Sequence, residues 1–421
     1  MPAVSPGNDC FAHDGRMISV GDALARLRAV VAPVAGTGEA ALEEAAGRIL
    51  AVPLVSARDV PAFANVAMDG FAFAGADLAA GGPTRLRLVE GRAAAGHPFA
   101  GTVPRGCALR VLTGAMVPDG CDTVVMEEQA RVEDAHVLLP EGVRPGINCR
   151  PAGEDIAKGK RLFEAGLRLE PRHLGVAAEL GLARLPVYER LKVALLSSGD
   201  ELVEPGADLP PGRVYDANRP ILRALLARLP VEVSDLGVLP DDAASVRRAL
   251  LDASRSHHVI VSSGGASRGD EDHMARTVQQ EGKLHFWRIA MKPGRPLSLG
   301  QLGSATFVGL PGNPVASTVC FLRFARPVIL ALGGAAWREP WAFPVRADFT
   351  LRKKPGRAEM LRAALERRED GLWARRIMRE GSGVLTSLTD GDGLVEVGPM
   401  VERVDPGDTV PFLSFAELGA T

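Results

Sequence analysis

The pattern of apolar and polar positions changes twice along the chain. Between Val60 and Leu139, apolar residues form short runs that Gly and Pro interrupt, which is typical of β strands. From Leu191 onward, buried-type apolar runs alternate with segments of helical period. After Pro344 the short runs return, separated by turn signals. The pattern predicts a small β-rich module, an α/β domain and a terminal β-domain, in that order.

The central region predicts a doubly wound, mostly parallel sheet with helices on both faces, because strands and helices alternate there. The predicted strands are Lys192–Leu196, Val231–Val238, His258–Ser262 and Phe307–Leu310, and the predicted helices are Arg219–Leu229, Asp241–Ser254, Asp272–Gln280 and Pro314–Leu330. Ligands of such sheets bind beyond the carboxyl ends of the strands. We therefore expect the binding residues in the loops that follow the strands.

The N-terminal region predicts helices. Ser19 and Asp22 resemble a helix start, a second helix is predicted from Gly38 to about Ile49, and a third over Pro171–Leu180. These predictions divide the chain into a discontinuous, helical N-terminal domain, an inserted β-rich module, the α/β domain and a small, barrel-like C-terminal β-domain. The predicted bounds are 17–60 with 142–188, 61–141, 189–333 and 338–417.

Composition narrows the class of protein. A length of 421 residues suggests several domains, and 46% hydrophobic with 24% charged residues is typical of a globular protein. The formal charge of −2 gives no reason to expect a nucleic-acid partner, so an anion site has to be built locally. Five scattered cysteines and the absence of a signal-peptide pattern favour a reducing cytoplasm, and Gly and Pro throughout Pro296–Leu322 argue against a membrane span.

Three rigid loops predict a site for a large anionic ligand. They are the Leu310–Pro314 loop, the Met291–Pro296 loop and the Ser262–Asp272 loop with Gly264 and Gly265. The Ser197–Glu201 segment also falls at the end of a predicted strand, so it can converge with the Gly264-Gly265 and Pro311–Pro314 loops. Glycine lets backbone N–H groups approach an anion, and proline holds a loop in place. No GxxxxGK[ST] sequence occurs and no strand leads into GxGxxG, so ordinary P-loop or dinucleotide chemistry is disfavoured.

Charged residues accompany these loops. Arg288, Lys292 and Arg295 could neutralise an oxyanion, although solvated turn charges would look the same. Carboxylates gather at the same strand ends, and a hard cation, Mg²⁺ above all, would make sense of acids beside an anion site. Asp241 and Asp242 could equally stabilise a helix start. Elsewhere, the segments around Asp69 and around Thr113 read as ordinary turns when taken alone.

The motifs together resemble one family. The matching stretches are Ala67–Ala72, Val111–Ala115, Val124–Glu128, Gly153–Ile156, Ser198–Leu202, Tyr215–Asn218, Ser262–Gly265, Lys292–Gly294 and Gly309–Pro314. In this order they are similar to the molybdopterin molybdenumtransferases, known as MoeA in bacteria and as the E domain of gephyrin and Cnx-type proteins. The resemblance extends from about residue 17 to 415.

The resemblance implies an activity, cofactors and partners. A homodimer would insert molybdate into adenylylated molybdopterin in a Mg²⁺-dependent step and release AMP. Molybdopterin adenylyltransferase and molybdoenzyme acceptors would be further partners. Two other functions stay open here, namely molybdopterin adenylyltransferase activity and a non-catalytic pterin-binding scaffold.

The resemblance also implies roles for residues. Those linked to catalysis are Asp69, Thr113, Asp155 and Glu201, and those linked to Mg²⁺ are Glu201, Asp241 and Asp272. Those linked to substrate binding are Arg150, Ser198, Asp241, Gly264, Gly265, Asp272, Arg288, Lys292, Arg295, Pro311, Pro314 and Arg357. The chain departs from the family pattern at Val66, Ser198, Ala266 and Arg295; Arg295 replaces a frequent Lys, which keeps the charge and alters the donor geometry.

Overall fold

The computed structural model describes residues 17–264, 273–294, 296–379, 381 and 383–421. The chain folds into two compact units. The larger unit comprises residues up to Val52, Ala165–Glu170 and Arg184–Thr421, and the smaller unit comprises Pro53–Glu164 and Pro171–Ala183. Each unit has its own hydrophobic cores, so each is described by itself.

The smaller unit is built on a six-stranded sheet. In spatial order its strands are Thr123–Met126, Gly70–Phe73, Cys107–Val111, Thr84–Ala93, His136–Leu139 and Arg131–Glu133. Alternate residues of Gly70–Phe73 enter different cores, since Ala72 packs in one cluster while Phe71 and Phe73 pack in another. The unit also contains two short antiparallel strand pairs, which are Asn65–Val66 with Cys149–Arg150 and Leu54–Val55 with Arg161–Phe163. It has one helix, Pro171–Glu179, and 3₁₀ turns at Gly75–Asp77 and Glu127–Gln129.

The larger unit contains a seven-stranded sheet. In spatial order its strands are Met17–Ile18, Lys283–Ile289, Pro296–Leu302, Ala305–Leu310, Val259–Ser263, Leu191–Ser198 and Val231–Leu239. Neighbouring strands run parallel except where Pro296–Leu302 lies antiparallel to both of its neighbours. The sheet is therefore mostly parallel, as predicted.

Helices cover both faces of this sheet. Val193 and Leu195 pack in one core, and Ala194 and Leu196 pack in the other, as the two-residue period of a strand requires. The helices are Val20–Val30, Asn218–Leu226, Ala243–Ser256, His273–Glu281, Pro314–Cys320 and Arg326–Leu332, with a π-helical turn at Phe321–Ala325. Two strand pairs lie outside the sheet, namely Thr37–Ala41 with Arg184–Tyr188 and Leu202–Val203 with Val214–Tyr215.

The C-terminal part of the larger unit is a closed five-stranded barrel. Its strands are Phe343–Ala347, Ala358–Arg368, Gly371–Arg376, Gly393–Val397 and Thr409–Ser414. A separate core fills it, with Phe349 and Phe412 among its side chains. The pair Leu351–Arg352 with Arg403–Val404 and the short helix Thr386–Thr389 adjoin the barrel strands in sequence.

The predicted fold class is confirmed, including the α/β domain and the barrel-like terminal domain. The exact domain bounds stay a prediction. The helix Pro314–Leu332, counted with its π-turn, has the length and the mean hydropathy, 1.7, of a membrane span, but 83% of it is buried inside the protein. Its apolar character is therefore explained by its place in the core.

One predicted helix is wrong. Residues from Gly38 to Ile49 form the strand Thr37–Ala41 and a 3₁₀ turn at Leu42–Glu44. The strand pairs with Arg184–Tyr188, which lies far away in sequence, and this pairing buries Ala40. Tertiary pairing outweighs the helix propensity of the Ala- and Glu-rich segment, because propensity is only a weak preference.

Candidate functional site

Three loops meet at one edge of the large sheet. They follow Leu191–Ser198, Val259–Ser263 and Ala305–Leu310, which are neighbouring parallel strands whose carboxyl ends share that edge. The backbone N–H of Gly264 donates to the carbonyl of Leu310 at 3.0 Å. Gly264 has a φ of +92°, and a Cβ there would lie 3.3 Å from the carbonyl oxygen of Ser198. Glycine at this position thus lets the loops approach one another.

Glu201 lies in the first of these loops. Its carbonyl accepts a hydrogen bond from Val214 N at 2.8 Å, which ties the loop to the strand pair Leu202–Val203 with Val214–Tyr215. Its carboxylate folds over Gly199, where an added Cβ would lie 2.5 Å from Oε2. A side chain at position 199 would therefore displace the carboxylate of Glu201.

Asp241 and Asp242 have different roles. The side chain of Asp242 caps the helix Ala243–Ser256, accepting from Ala244 N at 3.1 Å and Ser245 N at 2.9 Å. Hydrogen bonding from Ser245 lowers the pKa of this carboxyl. The interpretation of Asp242 as a helix-start residue is therefore confirmed. The half-buried Asp241 directly precedes this cap, and its role in the site stays a prediction.

The expected cations come together through a strand pair. Met291–Lys292 pairs in parallel with the start of Ala358–Arg368, so that Lys292 lies opposite Glu359. Ala358 N donates to the carbonyl of Ala290 at 2.7 Å. In this register Arg357 lies two residues before Glu359, which is the partner of Lys292, and both Arg357 and Lys292 are exposed. Arg288 is exposed on the strand Lys283–Ile289 a few residues earlier.

The Lys292–Gly294 turn is also held from the core side. The thiol of Cys320 donates to the carbonyl of Gly294 with an Sγ–O distance of 3.3 Å. Complete burial raises the pKa of Cys320 to about 12, so the thiol keeps its proton at neutral pH. Cys320 ends the helix that Pro314 begins, and that helix follows the buried Pro311. The turn and the Pro311–Pro314 loop are therefore fixed to the same helix.

In the smaller unit, Asp69 and Thr113 form a hydrogen-bonded pair. Asp69 Oδ1 accepts from Thr113 N at 2.7 Å and from Thr113 Oγ1 at 2.6 Å. The hydroxyl and then the backbone N–H of Thr113 lower the pKa of Asp69, with a smaller contribution from Arg110. Asp69 is therefore an exposed, ionised carboxylate in a fixed orientation. The two turns, each ordinary by itself, form one constellation.

Two other predicted residues lie in the same unit. The strand Cys149–Arg150 pairs with Asn65–Val66, which directly precedes the Ala67-Met68-Asp69 turn. Arg150 Nε lies 3.8 Å from Glu154 Oε2. Asp155 N donates to the carbonyl of Val60 at 3.1 Å, and the side chain of Asp155 is exposed. Asp69, Thr113, Arg150 and Asp155 thus belong to the smaller unit. The other described candidates belong to the larger unit.

Three candidates, Gly265, Asp272 and Arg295, lie outside the described residues. Within the described ranges, no group of three His, Cys, Asp or Glu side chains is arranged to hold a metal ion. Mg²⁺ is commonly held by one or two carboxylates together with substrate phosphates. Glu201, in the loop after Leu191–Ser198, and Asp241, just before the helix Ala243–Ser256, carry the carboxylate oxygens that Mg²⁺ prefers.

Sequence reasoning missed several residues that organise the site. Asn218, known only as the last residue of a matching motif, hydrogen-bonds two of the three loops. Cys320 is buried in the core, and nothing in the sequence indicates its hydrogen bond to Gly294. One guanidinium nitrogen of Arg110, Nη2, donates to both carboxylate oxygens of Glu127, at 3.0 and 2.8 Å, beside the Asp69–Thr113 pair. These contacts join residues that are far apart in sequence, so no local sequence pattern predicts them.

Comparison with known families covers most of the chain. The MoeA N-terminal region (domain I and II) matches residues 18–181. A probable molybdopterin binding domain matches residues 194–331, and the MoeA C-terminal region (domain IV) matches residues 344–415. The second match contains the three strand-end loops, and the third contains the barrel.

Individual relatives agree with these matches. A molybdopterin molybdenumtransferase of Haemophilus influenzae is 38% identical over 381 residues, which cover 90% of this chain and 93% of that protein. One from Nostoc sp. is 35% identical over 314 residues, covering 72% of each protein. The solved molybdopterin biosynthesis moeA protein of Pyrococcus horikoshii OT3 has a TM-score of 0.82 at 27% identity, covering 95% of this chain and all of that one. The chain belongs to the molybdopterin molybdenumtransferase (MoeA) family.

Proposed function

We propose that this protein is a molybdopterin molybdenumtransferase that inserts molybdate into the dithiolene of adenylylated molybdopterin, releasing AMP and molybdenum cofactor. Family membership over almost the whole chain supports the reaction. The observation that carries it is the strand pairing that holds Lys292 opposite Glu359, two residues from Arg357, in the same unit as loops suited to a phosphorylated ligand. Two anionic substrates need two anion sites, and this part of the larger unit can supply both.

The pterin substrate would occupy the strand-end loops. Its phosphate and pyrophosphate are anions that backbone N–H groups of glycine-rich loops bind well. Ser198, Gly264 and the Pro311–Pro314 loop lie at the shared edge of the sheet, and Glu201 lies in the same set of loops. Gly265, Asp272 and Arg295 are assigned to this substrate by their positions in the family motifs.

Molybdate would bind at the exposed cations. Lys292, Arg357 and Arg288 are basic side chains, and charge-assisted hydrogen bonds to an oxyanion are stronger than neutral ones. Lys292 lies in a turn that two structural elements hold, the barrel strand through pairing and the core helix through Cys320. A cation fixed in this way can orient molybdate before reaction, which reduces the entropy lost in the transition state.

We assign Mg²⁺ to Glu201 and Asp241, with Asp272 as a third ligand. When bound, the ion would neutralise part of the charge of the substrate phosphates and of molybdate. The orientation of the Glu201 carboxylate over Gly199 and the half-buried position of Asp241 suit ligation completed by the substrate.

The Asp69–Thr113 pair, with Arg150 and Asp155, is assigned to catalysis. An ionised carboxylate held by two donors can accept a proton or orient a water molecule at a fixed point. We further propose that the protein is a homodimer in the cytoplasm. Molybdopterin adenylyltransferase would supply its substrate, and molybdoenzymes would accept its product.

The test is a reconstituted reaction. Purified protein receives adenylylated molybdopterin, Mg²⁺ and molybdate, and both AMP release and activation of an apo-molybdoenzyme are measured. Molybdate-dependent formation of both products is expected. Binding of the pterin without either product would instead indicate a scaffold, and activity only with ATP and molybdopterin would indicate an adenylyltransferase.

Variants locate the anion site. Lys292→Ala and Arg357→Ala should each raise the KM for molybdate about 10- to 100-fold, which corresponds to the loss of one hydrogen bond to a charged group. Arg255→Ala removes one exposed positive charge from the helix Ala243–Ser256 and is the matched control. An equal rise in all three variants would show that only long-range charge matters at these positions.

A further inference from the structure

Asn218 connects two ligand loops that are distant in sequence. It is the first residue of the helix Asn218–Leu226, and only 7% of it is exposed. Its Nδ2 donates to Ser263 Oγ at 2.7 Å and to the carbonyl oxygen of Gly312 at 2.6 Å. Ser263 ends the strand Val259–Ser263, and Gly312 lies between the neighbouring strand Ala305–Leu310 and the helix Pro314–Cys320. One amide group therefore sets the distance between the two loops.

The chemistry of this contact determines the orientation of the amide. A carbonyl oxygen only accepts hydrogen bonds, so the NH₂ group must face Gly312. Within the described part of the chain, Asn218 Oδ1 is buried and has no hydrogen-bond partner. A buried acceptor without a partner destabilises the folded state, whereas the two hydrogen bonds from Nδ2 stabilise it.

Neighbouring contacts make the arrangement rigid. Asp216 Oδ1 accepts from Asn218 N at 3.0 Å and from Arg219 N at 3.1 Å, which fixes the start of the helix. Ser262 Oγ donates to the carbonyl of Gly264 at 2.8 Å, and Gly264 N donates to Leu310. The amide of Asn218 thus lies within a continuous network behind the loops.

We propose that Asn218 is a positioning residue for the pterin substrate, holding the Ser262–Gly264 and Pro311–Pro314 loops at the spacing that adenylylated molybdopterin requires. It acts through the loops and makes no contact with reacting atoms. This inference rests on the proposed function. Because molybdate is assigned to the cations of the Lys292 turn, Asn218 should affect the two substrates unequally.

Asn218→Asp is the sharpest test, because it keeps the shape and replaces the donor with a carboxylate oxygen that repels the Gly312 carbonyl. The KM for adenylylated molybdopterin should rise at least about tenfold, as expected when one loop-fixing hydrogen bond is lost. The KM for molybdate should stay within about twofold. As the pH falls and the introduced carboxyl gains a proton that it can donate, the defect should shrink. The defect of Asn218→Ala should not shrink as the pH falls, because alanine has no group that gains a proton.

Leu225→Ala is the matched control, because Leu225 lies in the same helix and is buried in the core away from the loops. It should lower the melting temperature and leave both KM values unchanged. If Asn218→Asp cannot be purified, Ser263→Ala removes one of the two acceptors more gently and should raise the same KM several-fold.

The possible failures are distinguishable. A wild-type protein without transferase activity overturns the proposed function. An active wild type, together with a folded Asn218→Asp or Ser263→Ala variant whose pterin KM is unchanged, overturns the positioning role alone. Equal rises in both KM values, matched by Leu225→Ala, would show that Asn218 is merely structural.

Discussion

Gly294 offers a quantitative test of how the Lys292–Gly294 turn is held. Its φ is +98°, a conformation that a residue with a side chain rarely adopts. A Cβ at this position would lie 2.6 Å from Cys320 Sγ and 2.9 Å from Met291 Cε. The methionine end can move, but Cys320 is buried in a core helix. Gly294→Ala should therefore destabilise the α/β domain for two separate reasons.

The two contributions can be estimated. Holding alanine at a positive φ costs about 1–2 kcal/mol. Forcing a methyl group against the thiol adds about 1–3 kcal/mol of overpacking. The free energy of unfolding should fall by about 2–5 kcal/mol in total, the sum of these two contributions. Since Lys292 lies two residues away, the KM for molybdate should rise as well.

Urea unfolding followed by tryptophan fluorescence measures this change. Trp287 is buried in the same core as Met291 and Cys320, so it reports on this domain. The common background replaces the other tryptophans, Trp337, Trp341 and Trp373, with Phe.

A double-mutant cycle then separates the two reasons. Cys320→Ala removes Sγ, so Gly294→Ala in that background should cost only the backbone part, about 1–2 kcal/mol. If the two substitutions are additive to within about 0.5 kcal/mol, the thiol is not the obstacle and the reasoning is refuted.

Two further predictions concern ionised groups. Thr113→Val removes the hydroxyl donor that lowers the pKa of Asp69, so the acid limb of kcat/KM should move to higher pH, and Thr113→Ser should move it back. Arg219→Met leaves the carboxylates of Asp216 and Asp235 without their buried partner and should cost about 3–5 kcal/mol in urea unfolding. Burial opposes ionisation of Asp235, but hydrogen bonds from Arg219 and the backbone of Gly237, together with the charges of Arg219 and Arg223, outweigh it and lower the pKa. That stabilisation is complete above the ordinary aspartate pKa near 4 and is lost as the pH falls through the lowered value, so the difference between variant and wild type should shrink in acid. A constant difference would contradict this account.

The sequence allowed much of the α/β domain to be predicted, because its strands and helices have strong and distinct periods. Val259–Ser263 and Ala305–Leu310 were each predicted to within a few residues, and so were the loops after them. The segment Gly38–Ile49 was predicted wrongly, because its conformation depends on a partner strand more than a hundred residues away. Local preference is informative only where distant pairing does not override it.

The candidate site shows the same limit. Glycines and prolines identify loops that approach an anion, since their backbone requirements are local. The contacts that fix those loops are not local. Asn218 lies 45 residues from Ser263, and the Asp69–Thr113 pair spans 44 residues. Such partners are polar residues with many possible uses, so only the fold identifies them.

Two segments of the α/β domain share one physical principle, which is that a buried side-chain donor holds each of them, and a backbone donor holds a third. The amide of Asn218 holds the Gly312 segment, the thiol of Cys320 holds Gly294, and the backbone N–H of Gly264 is engaged by Leu310. Because the hydrogen bonds form without a ligand, the loops need little reorganisation on binding, and less conformational entropy is lost. Removing any one donor should therefore weaken the binding of the substrate that its loop serves, more than it slows the chemical step.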